Sequence, residues 1–222
     1  MSAATTYLWA ASSLVVKDLQ QNIPTYLSDR RRGDTMYGMI HKAIRDMVKT
    51  VHGEQAWQSV LNESGAADGD FLSLRSYNDE IAYNLVGACS KILGAPAEAC
   101  LEDFGRFWIL VTASEHYGDM MRSYGQDTFS LLGKMDEMHE RISSTFSGYK
   151  PPYFTVEVID EHHYLLHYRS IRAGLSPFVI GLVLGLGEFY SEPVSIALDK
   201  TENADGGEYS VFSVTRGMAA GA

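Results

Sequence analysis

The sequence predicts an α+β protein, in which an N-terminal helical subdomain packs on a C-terminal subdomain built on a four-stranded antiparallel sheet. Up to Phe146 the apolar residues recur every three or four positions, the spacing of amphipathic helices. The pair Pro151-Pro152 then interrupts the helical pattern. Beyond this pair the apolar residues alternate with polar ones, and turn residues separate short segments, which indicates β-hairpins.

In the first half, the apolar spacing predicts helices over residues 37–52, 54–62, 78–93, 96–117 and 128–146. Asn78 has the short polar side chain of a helix N-cap and would begin the third helix. Pro96 suits the first turn of the fourth helix, because an N–H group is not needed there.

The second half is predicted to contain two hairpins and one helix. Strands over residues 153–159 and 164–171 would form the first hairpin, and strands over 194–198 and 208–215 the second. Between the hairpins, residues 175–190 are apolar almost throughout. This run predicts a helix that is buried on most of its sides.

The predicted domain covers residues 36–217, with an N-terminal extension or linker at 1–35 and a flexible tail at 218–222. Residues 7–16 are apolar, but no cationic segment precedes them, which argues against a signal peptide. Residues 28–35 are polar and charged, as in a linker. For residues 1–35, a functional extension and a miscalled start codon both stay open.

Charge and composition exclude several classes of function. The net charge is −10 and the sequence has no basic stripe to meet phosphates, which argues against a nucleic-acid partner. The longest apolar run, residues 175–186, is too short to cross a bilayer, so no membrane partner is expected. Cys89 and Cys100 form neither a disulfide framework nor a zinc pattern, which favours a cytoplasmic location.

One candidate binding motif lies near the end of the predicted strand from Tyr164 to Arg172. Side chains two residues apart on a strand point to the same face, roughly 6.6 Å from one another. Tyr168, Ser170 and Arg172 would therefore present a phenol, a hydroxyl and a guanidinium in a row. Such donors suit a ligand with two anionic arms, such as the propionates of a haem. The alternative is the solvent face of an edge strand.

A candidate metal ligand is His139, which belongs to an apolar helical stripe. The stripe is spaced three, four, three and four residues and consists of Leu132, Met135, His139, Ile142 and Phe146. A histidine in such a place is either a core histidine with one satisfied nitrogen or an axial ligand of haem iron. The local pattern leaves both interpretations open.

The order of the motifs along the chain resembles one family. The motifs are Met36 to Val48, Gly53 to Trp57, Leu85 to Leu93, Phe104 to Trp108, Met135 to His139, Pro151-Pro152, His167 to Arg172 and Val179 to Leu182. In order and spacing they resemble the haem nitric oxide/oxygen binding (H-NOX) domain. The chain looks most like the stand-alone bacterial members closest to the haem domain of the soluble guanylate cyclase beta subunit.

The resemblance implies haem b buried between the two subdomains, with His139 as its metal ligand. It implies that Tyr168, Ser170 and Arg172 hold the propionates and that Pro152 presses on the porphyrin. Asp79 stands where relatives place an acidic partner for the arginine, although it could equally be an acid at a helix N-terminus.

The resemblance also assigns the walls of the pocket. Phe178 aligns with the position at which oxygen-binding relatives carry a tyrosine, and it has no hydrogen-bond donor. Trp108 could reach the same side with its indole N–H, which is a donor. The remaining wall residues would be apolar: Met36, Ile40, Met135 and Leu182.

The function implied by the resemblance is a non-catalytic gas sensor. It would bind nitric oxide and carbon monoxide on ferrous haem, exclude dioxygen, and signal by release of His139. Its partner would be a histidine kinase or a cyclic-di-GMP enzyme. One alternative is an oxygen-binding haem protein or haem enzyme that uses Trp108 as distal donor. Another is a haem-free interaction module, or a carrier of a small hydrophobic ligand, with the same fold.

Overall fold

The computed structural model describes residues 34–66, 69–144, 149–204 and 207–217. The predictions made for residues 1–33 and for the tail at 218–222 lie outside these ranges. The helical half contains α1 (Gly38–His52), α2 (Glu54–Ser64), α3 (Asp79–Leu93), α4 (Ala97–Phe107) and α5 (Ser114–Tyr124). It also contains a short antiparallel pair that the sequence did not predict, β1 (Thr35–Tyr37) with β2 (Ser76–Asn78). Thr35, assigned above to the linker, therefore begins the first strand.

The predicted helix over 96–117 is longer and less regular than expected. A π-helical segment, Trp108–Ala113, joins α4 to α5, so helical backbone continues to Tyr124. Pro96 is the N-cap of α4, and Asn78 caps α3 by accepting a hydrogen bond of 2.8 Å from the Glu80 N–H. The π-helical segment adds a residue to the turn and changes the face on which the following side chains lie.

The prediction of a single helix over residues 128–146 was wrong. Two helices lie there, α6 (Thr128–Leu132) and α7 (Met135–Ser143). Lys134 leaves the helical conformation, with φ −115° and ψ 11°, and the preceding Gly133 is a poor helix former. Asp127 caps α6 by accepting from the Ser130 N–H at 2.7 Å. Phe146 lies outside the described residues.

The second half is a four-stranded antiparallel sheet in the order β3-β4-β6-β5. Its strands are β3 (Tyr153–Val158), β4 (His163–Ser170), β5 (Val194–Ala204) and β6 (Gly207–Arg216). β4 ends at Ser170, so Arg172 lies beyond the strand in which it was predicted. β5 passes the predicted end at residue 198 because a bulge between Leu198 and Lys200 lets its pairing with β6 continue. The predicted α+β fold class is confirmed.

Helix α8 (Ser176–Phe189) packs against the sheet and against the helical half. One apolar core, which includes Leu166, Phe212 and Val183, lies between the sheet and α8. A second core, which includes Ile44, Trp57 and Leu85, lies among the first helices. Among the described residues, none of the helices combines the length and the hydropathy that spanning a bilayer requires.

Candidate functional site

A largely apolar cavity of about 270 Å³ lies where the two cores meet. This volume is near the lower end of the ~300–1,000 Å³ that is usual for ligand pockets. All residues that were predicted to contact the haem or its iron line this cavity: Met36, Ile40, Trp108, Met135, His139, Pro152, Tyr168, Ser170, Arg172, Phe178 and Leu182. The structure therefore brings together residues that are far apart in the chain.

His139 reaches the cavity from α7. Its Nδ1 lies 3.3 Å from the carbonyl oxygen of Pro152 and donates to it in the neutral tautomer, so Nε2 is the nitrogen that could bind a metal. Burial lowers the pKa of His139, while the Pro152 carbonyl and Asp136 oppose that change. A neutral imidazole with one nitrogen held by a carbonyl is the form in which histidine binds metals.

A second contact fixes α7 to the sheet. The Asp136 carboxylate accepts a hydrogen bond of 2.9 Å from the backbone N–H of Phe154, the second residue of β3. The Phe154 ring in turn lies 6.1 Å from the His139 ring. The orientation of His139 is thus set by α7, by β3 and by the Pro152 carbonyl between them.

Tyr168 and Ser170 lie on the inner face of β4, as the alternation predicts, and both are buried. Burial raises the pKa of the Tyr168 phenol, which therefore stays protonated and can donate. Ser170 Oγ accepts from the backbone N–H of Arg172 at 3.0 Å, which leaves its own O–H available as a donor. These two hydroxyls form one end of the cavity.

Arg172 reaches the same end from beyond β4, where it pairs with Asp79. Its Nε donates to the Asp79 carboxylate at 2.8 Å, and both side chains are about one tenth exposed. Burial raises the pKa of Asp79, and the Arg172 guanidinium opposes that rise. Asp79 is also the first residue of α3, so both interpretations offered for it from the sequence describe its position.

Another wall of the cavity is built from aromatic and aliphatic side chains. The Phe178 ring lies 5.1 Å from Phe104, and the Trp108 ring lies 6.3 Å from Phe104, with centroids measured in both cases. Phe178 contributes no polar hydrogen to this wall, while Trp108 has an indole N–H. Ile40 and Leu182 complete it.

Three tyrosines that the sequence analysis did not select also line the cavity, namely Tyr83, Tyr117 and Tyr149. The Tyr83 hydroxyl donates to the carbonyl oxygen of Ala173 at 2.9 Å. Burial raises the pKa of Tyr149 to about 12. The one available signal was that Tyr149 lies just before the Pro151-Pro152 pair that ends the helical half.

The residues present fit a planar iron macrocycle with two carboxylate arms. His139 offers one imidazole nitrogen, which would suit an iron whose remaining ligands come from the macrocycle. Tyr168, Ser170 and Arg172 offer hydroxyl and guanidinium donors at one end, as carboxylates require. The apolar walls suit the faces of the ring and would exclude water from a bound iron.

Comparison with known proteins bears directly on this site. The sequence model of a family described as Haem-NO-binding matches residues 37–198. This match covers well over half of the chain and includes His139 and the motif from Tyr168 to Arg172.

The sequence is also similar to animal proteins. Soluble guanylate cyclase gcy-31 of Caenorhabditis elegans is 28% identical over 166 residues, which cover 74% of this chain and 24% of the relative. Soluble guanylate cyclase 89Da of Drosophila melanogaster is 25% identical over 184 residues, which cover 82% of this chain and 28% of the relative. The chain thus spans about a quarter of the length of the curated relatives it matches.

Solved structures support the fold. A mutant of T. Tengcongensis H-NOX aligns with a TM-score of 0.73 at 20% identity, over 83% of this chain and 100% of that chain. An H-NOX protein from S. oneidensis in the Fe(II)NO ligation state aligns with a TM-score of 0.72 at 21% identity, over 82% of this chain and 100% of that chain. At such identities the likeness shows the shared fold alone.

Proposed function

This chain belongs to the Haem-NO-binding family, and we propose that it is a haem-based sensor that binds nitric oxide and carbon monoxide and excludes dioxygen. The observation that carries the proposal is the geometry of His139. Its Nδ1 is engaged by the Pro152 carbonyl, and its Nε2 is left for a metal in a cavity with anion-binding donors at one end. Bound ferrous haem b would supply the iron to which a diatomic gas binds, and His139 would hold that iron.

The residues around α7 provide a switch. The Asp136 carboxylate holds α7 to the N–H of Phe154, and the Pro152 carbonyl holds the His139 ring. Once the bond between His139 and the iron is broken, these two contacts would hold α7 to the sheet, and the helix can take a second position. Two positions with different energies in the two ligation states are what a sensor requires.

Selectivity against dioxygen is proposed to arise from Phe178. A phenol at this position could donate a hydrogen bond to polarised bound dioxygen, and a phenyl ring cannot. Phe104 packs on Phe178 at a centroid distance of 5.1 Å, which keeps this wall apolar. Nitric oxide and carbon monoxide depend much less on such a donor.

Absorbance spectra of the purified ferrous protein test the proposal, with carbon monoxide, nitric oxide and air added in turn. We expect a Soret band, a five-coordinate ferrous form that persists in air or slowly oxidises, and loss of the histidine bond with nitric oxide. His139→Gly should hold haem only when imidazole is supplied, and Phe178→Tyr should raise oxygen affinity. A protein without a Soret band after reconstitution would contradict the proposal and favour a haem-free carrier or interaction module.

A second candidate is an oxygen-binding haem protein. It is favoured by one observation, namely that Trp108, whose indole N–H is a donor, lines the cavity and contacts Phe104, as Phe178 does. A stable oxy spectrum in the unmodified protein that disappears in Trp108→Phe would support this candidate and overturn selectivity for nitric oxide.

The output is proposed to pass through a protein partner, without catalysis by this chain. The matched part of the guanylate cyclases is about a quarter of their length. The remaining three quarters lie outside the match, so the segment that responds to the sensor can be separate from it. A histidine kinase or a cyclic-di-GMP enzyme is the partner proposed from the resemblance to stand-alone members. A cytoplasmic location is also proposed, and the free thiols of Cys89 and Cys100 support it.

A further inference from the structure

Tyr149 lines the cavity but does not belong to the motif of Tyr168, Ser170 and Arg172. Its ring lies edge-on to the His139 ring at a centroid distance of 6.3 Å and packs at 6.3 Å from Tyr37. The carbonyl oxygen of the next residue, Lys150, accepts a hydrogen bond of 3.1 Å from Arg172 Nη1. Tyr149 therefore lies close to the candidate metal ligand and to the end of the cavity that carries the anion-binding donors.

Most N–H groups of Arg172 already donate to protein acceptors, so few remain for a ligand. Its Nε donates to Asp79 at 2.8 Å, Nη1 to the Lys150 carbonyl at 3.1 Å, and Nη2 to the Thr35 carbonyl at 2.9 Å. Nη2 also makes a long contact of 3.5 Å to the second oxygen of Asp79. Since a guanidinium has five N–H groups, at most one of the two on Nη1 stays free of protein acceptors.

The remaining donors are few for two carboxylate groups. Tyr168 and Ser170 each offer one O–H, and Arg172 offers that remaining N–H. Two carboxylates present four oxygens, each of which can accept more than one hydrogen bond. A buried carboxylate without donors is costly, so an additional donor at this end of the cavity would strengthen binding.

The hydroxyl of Tyr149 is placed to be that donor. It lines the same cavity, and among the described residues it has no hydrogen-bond partner. Tyr83 provides a contrast, since its hydroxyl lies in the same cavity but donates to the Ala173 carbonyl at 2.9 Å. The two tyrosines are thus matched in surroundings and differ in whether the hydroxyl is engaged by the protein.

We propose that the Tyr149 hydroxyl donates a hydrogen bond to a carboxylate of the cofactor, and so adds a fourth residue to the anion-binding set of Tyr168, Ser170 and Arg172. The inference rests on the proposed function, because it names a further contact to the same cofactor. It assigns to Tyr149 a direct contact with the ligand, in addition to its packing against His139.

The test compares the rate at which haem leaves the protein for apomyoglobin in the unmodified protein, Tyr149→Phe and the control Tyr83→Phe. Tyr149→Phe keeps the ring contacts with His139 and Tyr37 and removes only the hydroxyl. Loss of a hydrogen bond to a charged group should raise the rate about tenfold. Tyr83→Phe should change it by less than about twofold, because its hydroxyl serves the protein backbone.

Haem dimethyl ester, in which both carboxylates are esterified, distinguishes a carboxylate contact from packing. With this probe, Tyr149→Phe should raise the rate by less than about twofold, because an ester carbonyl is a neutral and weaker acceptor than a carboxylate. An equal acceleration with haem and with its ester would show that Tyr149 acts through packing, and no acceleration with either would show no contact. Failure of the unmodified protein to take up haem at all would instead overturn the proposed function together with this inference.

Discussion

At the scale of single residues, His41 is the most unusual side chain outside the cavity. It is fully buried in α1, with ring centroids 4.9 Å from Phe71 and 5.3 Å from Tyr77. Neither ring nitrogen makes a well-formed hydrogen bond among the described residues, although the Tyr37 carbonyl is near enough to raise the pKa slightly. Burial dominates and lowers the pKa of His41 to about 4. His41 is therefore neutral in the folded protein near neutral pH.

This gives a prediction about acid stability. The unfolded chain binds a proton at His41 near pH 6.5, whereas the folded protein binds it only near pH 4. The contribution of His41 to the free energy of unfolding should therefore be complete above pH 6.5, fall as the pH drops from 6.5 to 4, and level off below. The loss should be about 3 kcal/mol. Urea unfolding across pH 4–8 measures it.

His41→Phe should remove this part of the pH dependence, because a phenyl ring packs among Phe71 and Tyr77 without titrating. His162→Asn is the matched control, since His162 is exposed at a turn. A slope that is as steep in His41→Phe as in the control would show that other groups cause the acid sensitivity.

The sequence predicted individual site residues where their spacing or motif was recognisable. His139 follows from an apolar stripe and a motif, and Tyr168 with Ser170 follows from strand alternation. His41 was passed over, although it shares a helical stripe with Ile44 and Val48 that pointed to the core. Tyr149 belongs to no such stripe or strand, and its contacts with His139 and Tyr37 depend on the folding of distant segments together.

At the scale of elements, α4 and α8 touch backbone to backbone. Gly181 in α8 faces the carbonyl oxygen of Glu102 in α4, and a Cβ there would overlap it. Gly105 in α4 likewise faces the carbonyl oxygen of Phe178. Small residues at these positions permit the close approach, and α8 carries Phe178 and Leu182 into the cavity. The cavity wall formed by Phe178 and Leu182 thus depends on this helix contact.

Gly181→Ala should destabilise the protein by roughly 1–3 kcal/mol, because the added methyl group meets backbone that cannot move aside cheaply. Gly87→Ala is the control, since Gly87 lies within α3 and a Cβ there has open space. That change should stabilise by about 0.5–1 kcal/mol through the better helix propensity of alanine. Urea denaturation of both variants measures these changes in the free energy of unfolding. Equal changes in the two variants would show that α4 and α8 can separate without cost.

Element boundaries were harder to predict than element types. The contiguous apolar run from Trp108 to Val111 has no helical phase, so nothing in it indicated a π-helical segment. Gly133 was the only sign of the break between α6 and α7, and one glycine is often tolerated inside a helix. The pair β1 and β2 is too short to show an alternating pattern.

At the scale of the whole molecule, Arg172 joins the helical half to the sheet. Its guanidinium contacts Asp79 in α3, the Thr35 carbonyl in β1 and the Lys150 carbonyl before β3. Asp79 and Arg172 are 93 residues apart in the sequence. Residue patterns alone could not decide whether Asp79 is a helix-end acid or a partner of Arg172, because only the folded chain brings these segments together.

A double-mutant cycle on the free energy of unfolding measures how much this pair holds the halves together. Asp79→Ala and Arg172→Ala should each cost roughly 3–5 kcal/mol, because each leaves a buried charge without its partner. The double variant should cost far less than the sum. Glu63→Ala is the control, since Glu63 pairs at 2.6 Å with Lys91 on the exposed surface, where a pair contributes about 0–1 kcal/mol. If Asp79→Ala costs no more than Glu63→Ala, water compensates the lost contact, and the halves are joined by their apolar cores and the α4–α8 contact instead.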